Sequence, residues 1–190
     1  MSKEKTTEDT ALHLREGEQI LWQGQPAEFP IYERAGMKNL IVCWGLGPVA
    51  TLGVMIAFLA NGGKVLSIIN LFLLFVLLIS IISPLLNRRT ILNQHYYVTD
   101  QRAIVTMDGF EQFFVDREDI DDYRIESETV QDEALIIGSE IFPEIKKQLR
   151  WRTCNTAEKF GAQEPGACTA LVFYGLKDAE DAVAALRKSA

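Results

Sequence analysis

Residues 65–86 read VLSIINLFLLFVLLISIISPLL, and 17 of these 22 residues are Leu, Ile, Val or Phe. A helix rises 1.5 Å per residue, so about 20 apolar residues cross the hydrocarbon core of a bilayer. Each apolar side chain favours lipid by about 0.3 to 0.6 kcal/mol, which together outweighs Asn70, three serines and Pro84. Pro84 lies in the last turn, where losing one backbone hydrogen bond costs least. This stretch is therefore predicted to be a membrane-spanning helix.

A second apolar run, NLIVCWGLGPVATLGVMIAFLA at residues 39–60, precedes the first. The 25 residues between the flanking lysines carry no charge, and glycine and proline within them are common in membrane helices. Cys43, Gly47 and Thr51 follow one another at intervals of four, and small residues at that spacing let two helix backbones approach closely. They either form a face that packs on the second span or reflect ordinary small-residue content.

The connection between the two runs is the short turn-forming sequence NGGK at residues 61–64. It predicts an antiparallel helical hairpin whose two ends lie on the same side of the membrane. Four Lys or Arg residues flank the hairpin and only Lys64 lies in the loop, which places both termini in the cytoplasm of a multi-pass protein. The residues predicted to lie at the membrane interface are Trp22, Arg34, Lys38, Trp44, Arg88 and Arg89.

The charge of the chain is unevenly distributed. The formal net charge is −7; residues 1–95 carry 8 basic and 7 acidic side chains, and residues 96–190 carry 11 and 19. An acidic C-terminal half argues against nucleic acid as a partner. The three cysteines have no framework spacing, which indicates reduced thiols in a cytosolic compartment. A disulfide between Cys154 and Cys168 is the alternative.

After Arg89 the sequence pattern changes to short β-branched and aromatic runs separated by turn residues. Asp108-Gly109 is a strong signal for a β-hairpin. Residues 155–167 contain two glycines and a proline and are predicted to be a loop. The predicted strands are residues 95–99, 102–107, 110–115, 120–127, 134–141, 149–153 and 168–174.

The last predicted element is an amphipathic helix that begins after Asp178. Asp178 can cap the helix, acidic residues fill its first turn, and Arg187 and Lys188 close its last turn, as the helix dipole favours. Strands followed by one helix suggest a small barrel or curled sheet that is closed at one end. The fold class is therefore an α+β membrane protein, divided into residues 1–37, the hairpin 38–89 and a soluble domain 90–190.

Three segments in this order resemble the bacterial pleckstrin-homology (PH) domain membrane proteins. They are EGEQILWQGQP at residues 16–26, YVTDQRAIV at residues 97–105 and VFYGLKDAEDAVAAL at residues 172–186. The resemblance covers about residues 14–188 and implies a curled, barrel-like sheet that is capped by the C-terminal helix. Residues 139–166 depart from the family pattern, because they are longer and more irregular than its late strands.

The matching motifs have plain structural interpretations. Tyr97, Thr99 and Arg102 can serve to shape the β-hairpin, with Arg102 paired to a nearby acid. Ile20–Trp22 is either an anchor at the membrane interface or a strand at the edge of the barrel, and the sequence does not decide between these.

No catalytic, metal-binding or cofactor-binding motif stands out. The sequence therefore predicts a membrane-tethered interaction or scaffold module in a bacterial cell membrane, which binds a protein partner or self-assembles. The alternative is a lipid-sensing module that binds anionic lipids through one basic cluster. That cluster can equally be a solvated face, and it consists of Lys146, Lys147, Arg150 and Arg152.

Overall fold

The computed structural model contains two long helices, two small antiparallel sheets and a C-terminal helix. The fold class is thus α+β. The residues that the structure describes are 12–32, 37–107, 111–127, 132–138 and 156–188.

The first hairpin helix runs through residues 37–60 and changes its hydrogen-bond pattern on the way. Met37–Leu40 is α-helical, Ile41–Leu46 forms a π-helical segment, and Gly47–Ala60 is α-helical again. The amide N–H of Gly47 bonds to the carbonyl oxygen of Val42, five residues earlier. Pro48 follows and has no N–H to donate, so the wider turn sits where the ladder is already interrupted.

The second hairpin helix is Ile68–Leu92, a single helix of 25 residues with Pro84 inside. The Ser67 side chain caps its start by accepting the N–H of Asn70, and Asn93 ends it. The two hairpin helices are long and apolar enough to cross a membrane, and few of their residues are buried in the isolated chain. The second helix extends six residues beyond the predicted span.

Within the part of the chain that the structure describes, eight strands form two four-stranded antiparallel sheets. The order in the first sheet is β1-β2-β3-β4, and in the second it is β5-β6-β8-β7. The first sheet consists of β1 (Ile20–Gly24), β2 (Gln94–Thr99), β3 (Arg102–Met107) and β4 (Glu111–Asp116). The second consists of β5 (Tyr123–Glu126), β6 (Glu133–Ile137), β7 (Thr156–Glu158) and β8 (Cys168–Leu176).

The two sheets meet at the outer edge of β4. The N–H of Phe114 donates to the carbonyl oxygen of Gly166 at 2.9 Å, and Phe114 forms a parallel bridge with Ala167. Ala167 directly precedes β8, so the bridge joins one sheet to the other. The C-terminal helix, Ala179–Lys188, packs against β1, β2 and β6. Its start is capped by Asp178, whose side chain accepts the N–H of Glu180.

The core of this β domain lies between the sheets and the C-terminal helix. Tyr96 and Phe173 are fully buried and stack with their ring centroids 4.8 Å apart. The half-buried ring of Trp22 stacks on Phe173 at 5.9 Å. A residue that precedes the hairpin therefore completes a core built from residues that follow it.

The structure resolves one question that the sequence left open and shows that one prediction, the uninterrupted loop over residues 155–167, is wrong. Residues 20–24 form the strand at the edge of the first sheet, because β1 pairs with β2 from Ile20↔Thr99 to Gly24↔Tyr96. The segment assigned to a domain of its own thus contributes the first strand of the β domain. Within the predicted loop 155–167, Thr156–Glu158 pairs with β8 as a strand. The predicted strand 149–153 and Cys154 lie outside the described residues.

Candidate functional site

A buried ion pair joins the segment before the hairpin to the sheet after it. Arg102, at the start of β3, donates from Nε to Oε1 of Glu18 at 2.9 Å and from Nη2 to Oε2 at 3.0 Å. The exposed fraction of the side chain is 2% for Arg102 and 0% for Glu18. A two-point contact of this kind matches the planar guanidinium fork to a carboxylate. The pair is therefore both desolvated and well oriented.

Thr99 connects this pair to the turn between β2 and β3. Its hydroxyl lies 2.7 Å from Oε1 of Glu18, and it accepts the backbone N–H groups of Gln101 and Arg102. Asp100 and Gln19 add a second link, because each donates its N–H to an oxygen of the other. The motif YVTDQR thus folds its turn around a carboxylate from the motif EGEQ.

The environment of Glu18 favours its ionised form. Burial raises the pKa of this carboxyl, but hydrogen bonds from Arg102, the Arg15 N–H and Thr99 outweigh burial and hold the pKa below its ordinary value. The carboxylate keeps its charge, and Arg102 keeps its counter-ion.

A second layer of charges lies beside the buried pair. Arg15 contacts Asp116 at 2.5 Å and Glu164 at 2.6 Å, and hydrogen bonding to Asp116 and Glu164 raises its pKa despite partial burial. The guanidinium carbons of Arg15 and Arg102 lie 5.1 and 4.7 Å from the ring centroid of Phe114. These contacts hold the loop that carries Glu164 against β4.

A groove of about 650 Å³ opens between this loop and the N-terminal segment. Gln112 of β4 is joined to His13 of the N-terminal segment, because its side-chain amide accepts the N–H of His13 and donates to the carbonyl of His13, both at 3.1 Å. A volume of this size is within the range of ligand sites. The lining residues are His13, Arg102, Gln112, Phe113, Phe114, Glu164, Pro165 and Gly166.

Two hydrogen bonds lock the hairpin helices together at one level. The hydroxyl of Ser80 donates to the carbonyl oxygen of Cys43 at 2.7 Å, and the indole N–H of Trp44 donates to the carbonyl of Ile81 at 2.9 Å. In the π-helical turn the N–H of Gly47 donates to the Val42 carbonyl, and Pro48 has no N–H to donate. The Ser80 hydroxyl thus adds a hydrogen bond to the Cys43 carbonyl where the helix ladder is interrupted.

Gly47 makes this close approach possible. A Cβ at this position would lie 3.1 Å from the hydroxyl of Ser80 and 2.8 Å from the carbonyl of Val42. A Cβ at Gly45 or Gly53 would meet no atom within 4 Å. Of the two interpretations that the sequence left open for this spacing, the structure supports a packed face at Cys43 and Gly47.

The hairpin joins the β domain through Arg88. Its Nε donates to the carbonyl oxygen of Phe29 at 2.8 Å, and its guanidinium lies 5.5 Å from the Phe29 ring centroid. Phe29 in turn packs edge-on against Tyr174 of β8. Asn93 alone separates the second helix from β2. The domain is therefore attached to the hairpin without a flexible linker at this point.

The structure places the other residues predicted from the sequence in different environments. Trp22 packs on the domain core, Arg89 is exposed on the last turn of the second helix, and Trp44 contacts the partner helix. Lys38 lies on the first helix, but its side chain is outside what the structure describes. Arg34 and the basic cluster lie outside the described residues, and the cluster comprises Lys146, Lys147, Arg150 and Arg152.

The partnership of Glu18 with Arg102 was not visible in the sequence. Glu18 lies within a motif that matches the family pattern, and the sequence predicts only that Arg102 pairs with a nearby acid, without naming it. The usable signal was the presence of both residues in motifs that flank the same hairpin. Among the residues that the structure describes, no group of three His, Cys, Asp or Glu side chains could hold a metal ion.

Comparison with known proteins adds no relative. No family model matches the chain, and neither a curated protein nor a solved structure matches it. The function is therefore argued from the residues and contacts of this chain alone.

Proposed function

We propose that this protein is a membrane-anchored interaction module, with a helical hairpin in a bacterial cell membrane and a PH-like domain at its cytoplasmic face. The domain binds a protein partner or a second copy of itself and carries out no chemistry. The observation that carries the proposal is the direct attachment of a folded domain to an exposed apolar hairpin. Such a hairpin is stable in lipid and would aggregate in water.

The dimensions of the hairpin support insertion. A 25-residue helix is about 37 Å long, against about 30 Å for the hydrocarbon core of a bilayer. The last turns of the second helix, which include Arg88 and Arg89, then stand at the membrane surface. Their charges can lie among head groups while Arg88 holds Phe29.

The β1–β2 pairing supports the proposed orientation. Residues 20–24 precede both spans and residues 94–99 follow them, and the two strands pair only on one side of the membrane. The positive residues that flank the hairpin outnumber Lys64 in the loop, which favours the cytoplasm for that side.

The architecture also supports the PH-like part of the proposal. Two antiparallel sheets are bridged at one edge, and the C-terminal helix packs over the core between them. The groove between His13 and the Glu164 loop is lined by the aromatic rings of Phe113 and Phe114 together with polar and charged side chains, and this combination suits a protein partner. Tethering raises the local concentration of such weak contacts.

The proposal is tested with the full-length protein in membranes of its host. A photoreactive residue at His13, on the groove, is compared with one at Ala184, which is exposed on the C-terminal helix. We expect a defined crosslinked species from position 13 and none from position 184, and sizing in detergent then separates a dimer from a complex with another protein. Extraction of the chain by alkaline washing, or a strict monomer without crosslinks at position 13, would contradict the proposal.

A further inference from the structure

The segment before the hairpin supplies parts that the β domain needs inside its core. It contributes β1 at the edge of the first sheet, the Trp22 ring on Phe173, and the carboxylate that neutralises Arg102. It also donates the N–H of Ala27 to the carbonyl oxygen of Gly175 at 2.7 Å. These contacts all join residues that precede both hairpin helices to residues that follow both.

Without that segment the remaining domain would be left incomplete. The guanidinium of Arg102 would stay among buried side chains, and its remaining ion pair would be with Glu164, which is 3.6 Å away and half exposed. A buried charge that loses its partner strongly destabilises the structure around it. The edge of β2 that pairs with β1 would become exposed, and so would the face of the Phe173 ring that Trp22 covers.

We infer that the β domain completes its fold only in molecules whose two hairpin helices have doubled back in the membrane. The inference rests on the proposed insertion of the hairpin. If a single helix crossed the bilayer, Glu18 and β1 would lie on one face and Arg102 and β2 on the other. The domain therefore folds only when an even number of membrane spans separates β1 from β2 in the chain.

Because the domain needs both β1 and β2 on one side, membrane insertion must precede its folding. β1 leaves the ribosome before either span, and β2 follows directly after the second helix with Asn93 between them. The Arg102–Glu18 pair can form only after the second helix has returned the chain to the starting side. A molecule that inserts with the wrong number of spans exposes its unfinished domain to proteases.

The test changes the number of spans in the full-length chain. An added apolar helix of about 20 residues is inserted between Gly62 and Gly63 in one variant, and two such helices with a short turn in another. Limited proteolysis in membranes then measures the protected fragment that contains β2 and β3, residues 94–107, after permeabilisation so that protease reaches both faces. Cysteine labelling at Ser2 and Ser189 reports the side of each terminus, and alkaline washing reports insertion.

We expect the wild type and the variant with two added spans to give the protected fragment, and the variant with one added span to lose it at least tenfold faster. Protection of the one-span variant, with its termini labelled on opposite faces, would overturn the inference and leave membrane anchoring intact. Equal loss in both variants would also overturn it, because the number of spans would not then decide folding. Release of the wild type by alkaline washing would instead refute the proposed function.

Discussion

Arg102 and Glu18 lie 84 residues apart in the chain, yet their side chains form a two-point hydrogen bond at 2.9 and 3.0 Å in the domain interior. Both hairpin helices lie between them. The pair thus closes a loop that contains the whole apolar part of the protein. Its energetic importance follows from burial, because neither charge has compensating contact with water.

Replacing Glu18 with Gln is expected to destabilise the β domain, since Arg102 would keep its charge without a carboxylate. Breaking a buried pair costs about 3 to 5 kcal/mol in the free energy of unfolding. Asp116→Asn is the matched control, because its pair with Arg15 is partly exposed and should contribute about 1 kcal/mol or less. Denaturant unfolding of the detergent-solubilised chain, followed by tryptophan fluorescence, measures both. Equal losses would show that burial does not distinguish the two pairs.

The same carboxylate should make stability depend on pH. The pKa of Glu18 is held below its ordinary value of 4.5 in the folded domain, so the unfolded chain binds this proton more readily. The stabilisation is complete above that value and is lost as the pH falls through the lower folded pKa. Between about pH 6 and about pH 3 the wild type should lose more stability than Glu18→Gln. Parallel pH profiles for the two proteins would contradict this assignment.

Gly47→Ala is expected to separate the hairpin helices, because the new methyl group would press on Ser80 and on the Val42 carbonyl. Overpacking of this kind costs about 1 to 3 kcal/mol. Gly53→Ala is the control on the same helix, where a Cβ meets open space. Denaturant unfolding of the detergent-solubilised chain compares the two variants. We expect a lower free energy of unfolding for Gly47→Ala only; equal losses in both variants would refute the close approach.

The sequence was most informative where structure depends on neighbouring residues. The two apolar helices followed from long charge-free runs, and residues 102–107 were predicted with the bounds of β3, because an apolar run lay between two turn signals. The Asp178 cap was also correct, since capping needs only the next few residues. These features arise from local hydrogen bonding and from the preference of apolar side chains for lipid.

Features that depend on distant residues were missed. The role of Trp22 could not be decided, because the ring that it stacks on, Phe173, lies about 150 residues later. The strand Thr156–Glu158 was interpreted as loop, since its pairing with β8 overrides weak local preference. The π-helical turn before Pro48 had only a Gly-rich sequence as its signal, and its partner, Ser80, lies on the other helix.

Arg88→Gln is expected to loosen the attachment of the hairpin to the domain. The substitution removes a charged hydrogen bond to the Phe29 carbonyl and a cation–π contact, together about 2 to 4 kcal/mol. Arg89→Gln removes the same charge from the same helix turn, but this side chain is exposed and should cost within about 0.5 kcal/mol. Hydrogen exchange of the segment that contains Phe29 compares the two. Faster exchange in both variants would assign the effect to charge rather than to the contact.

Gly166→Ala is expected to release the loop that forms one wall of the groove. Gly166 has φ +83°, and a Cβ there would overlap the carbonyl oxygen of Gln112. Gly161→Ala in the same loop shares the strain of a positive φ, about 1 to 2 kcal/mol, but its Cβ would meet open space. The difference in the free energy of unfolding between the two variants therefore isolates the contact with β4. We expect Gly166→Ala to be lower by a further 1 to 3 kcal/mol or so, and to expose the loop to proteolysis near Lys159. Equal free energies of unfolding for the two variants would contradict this prediction, because the loop would then have moved away from β4 without a cost.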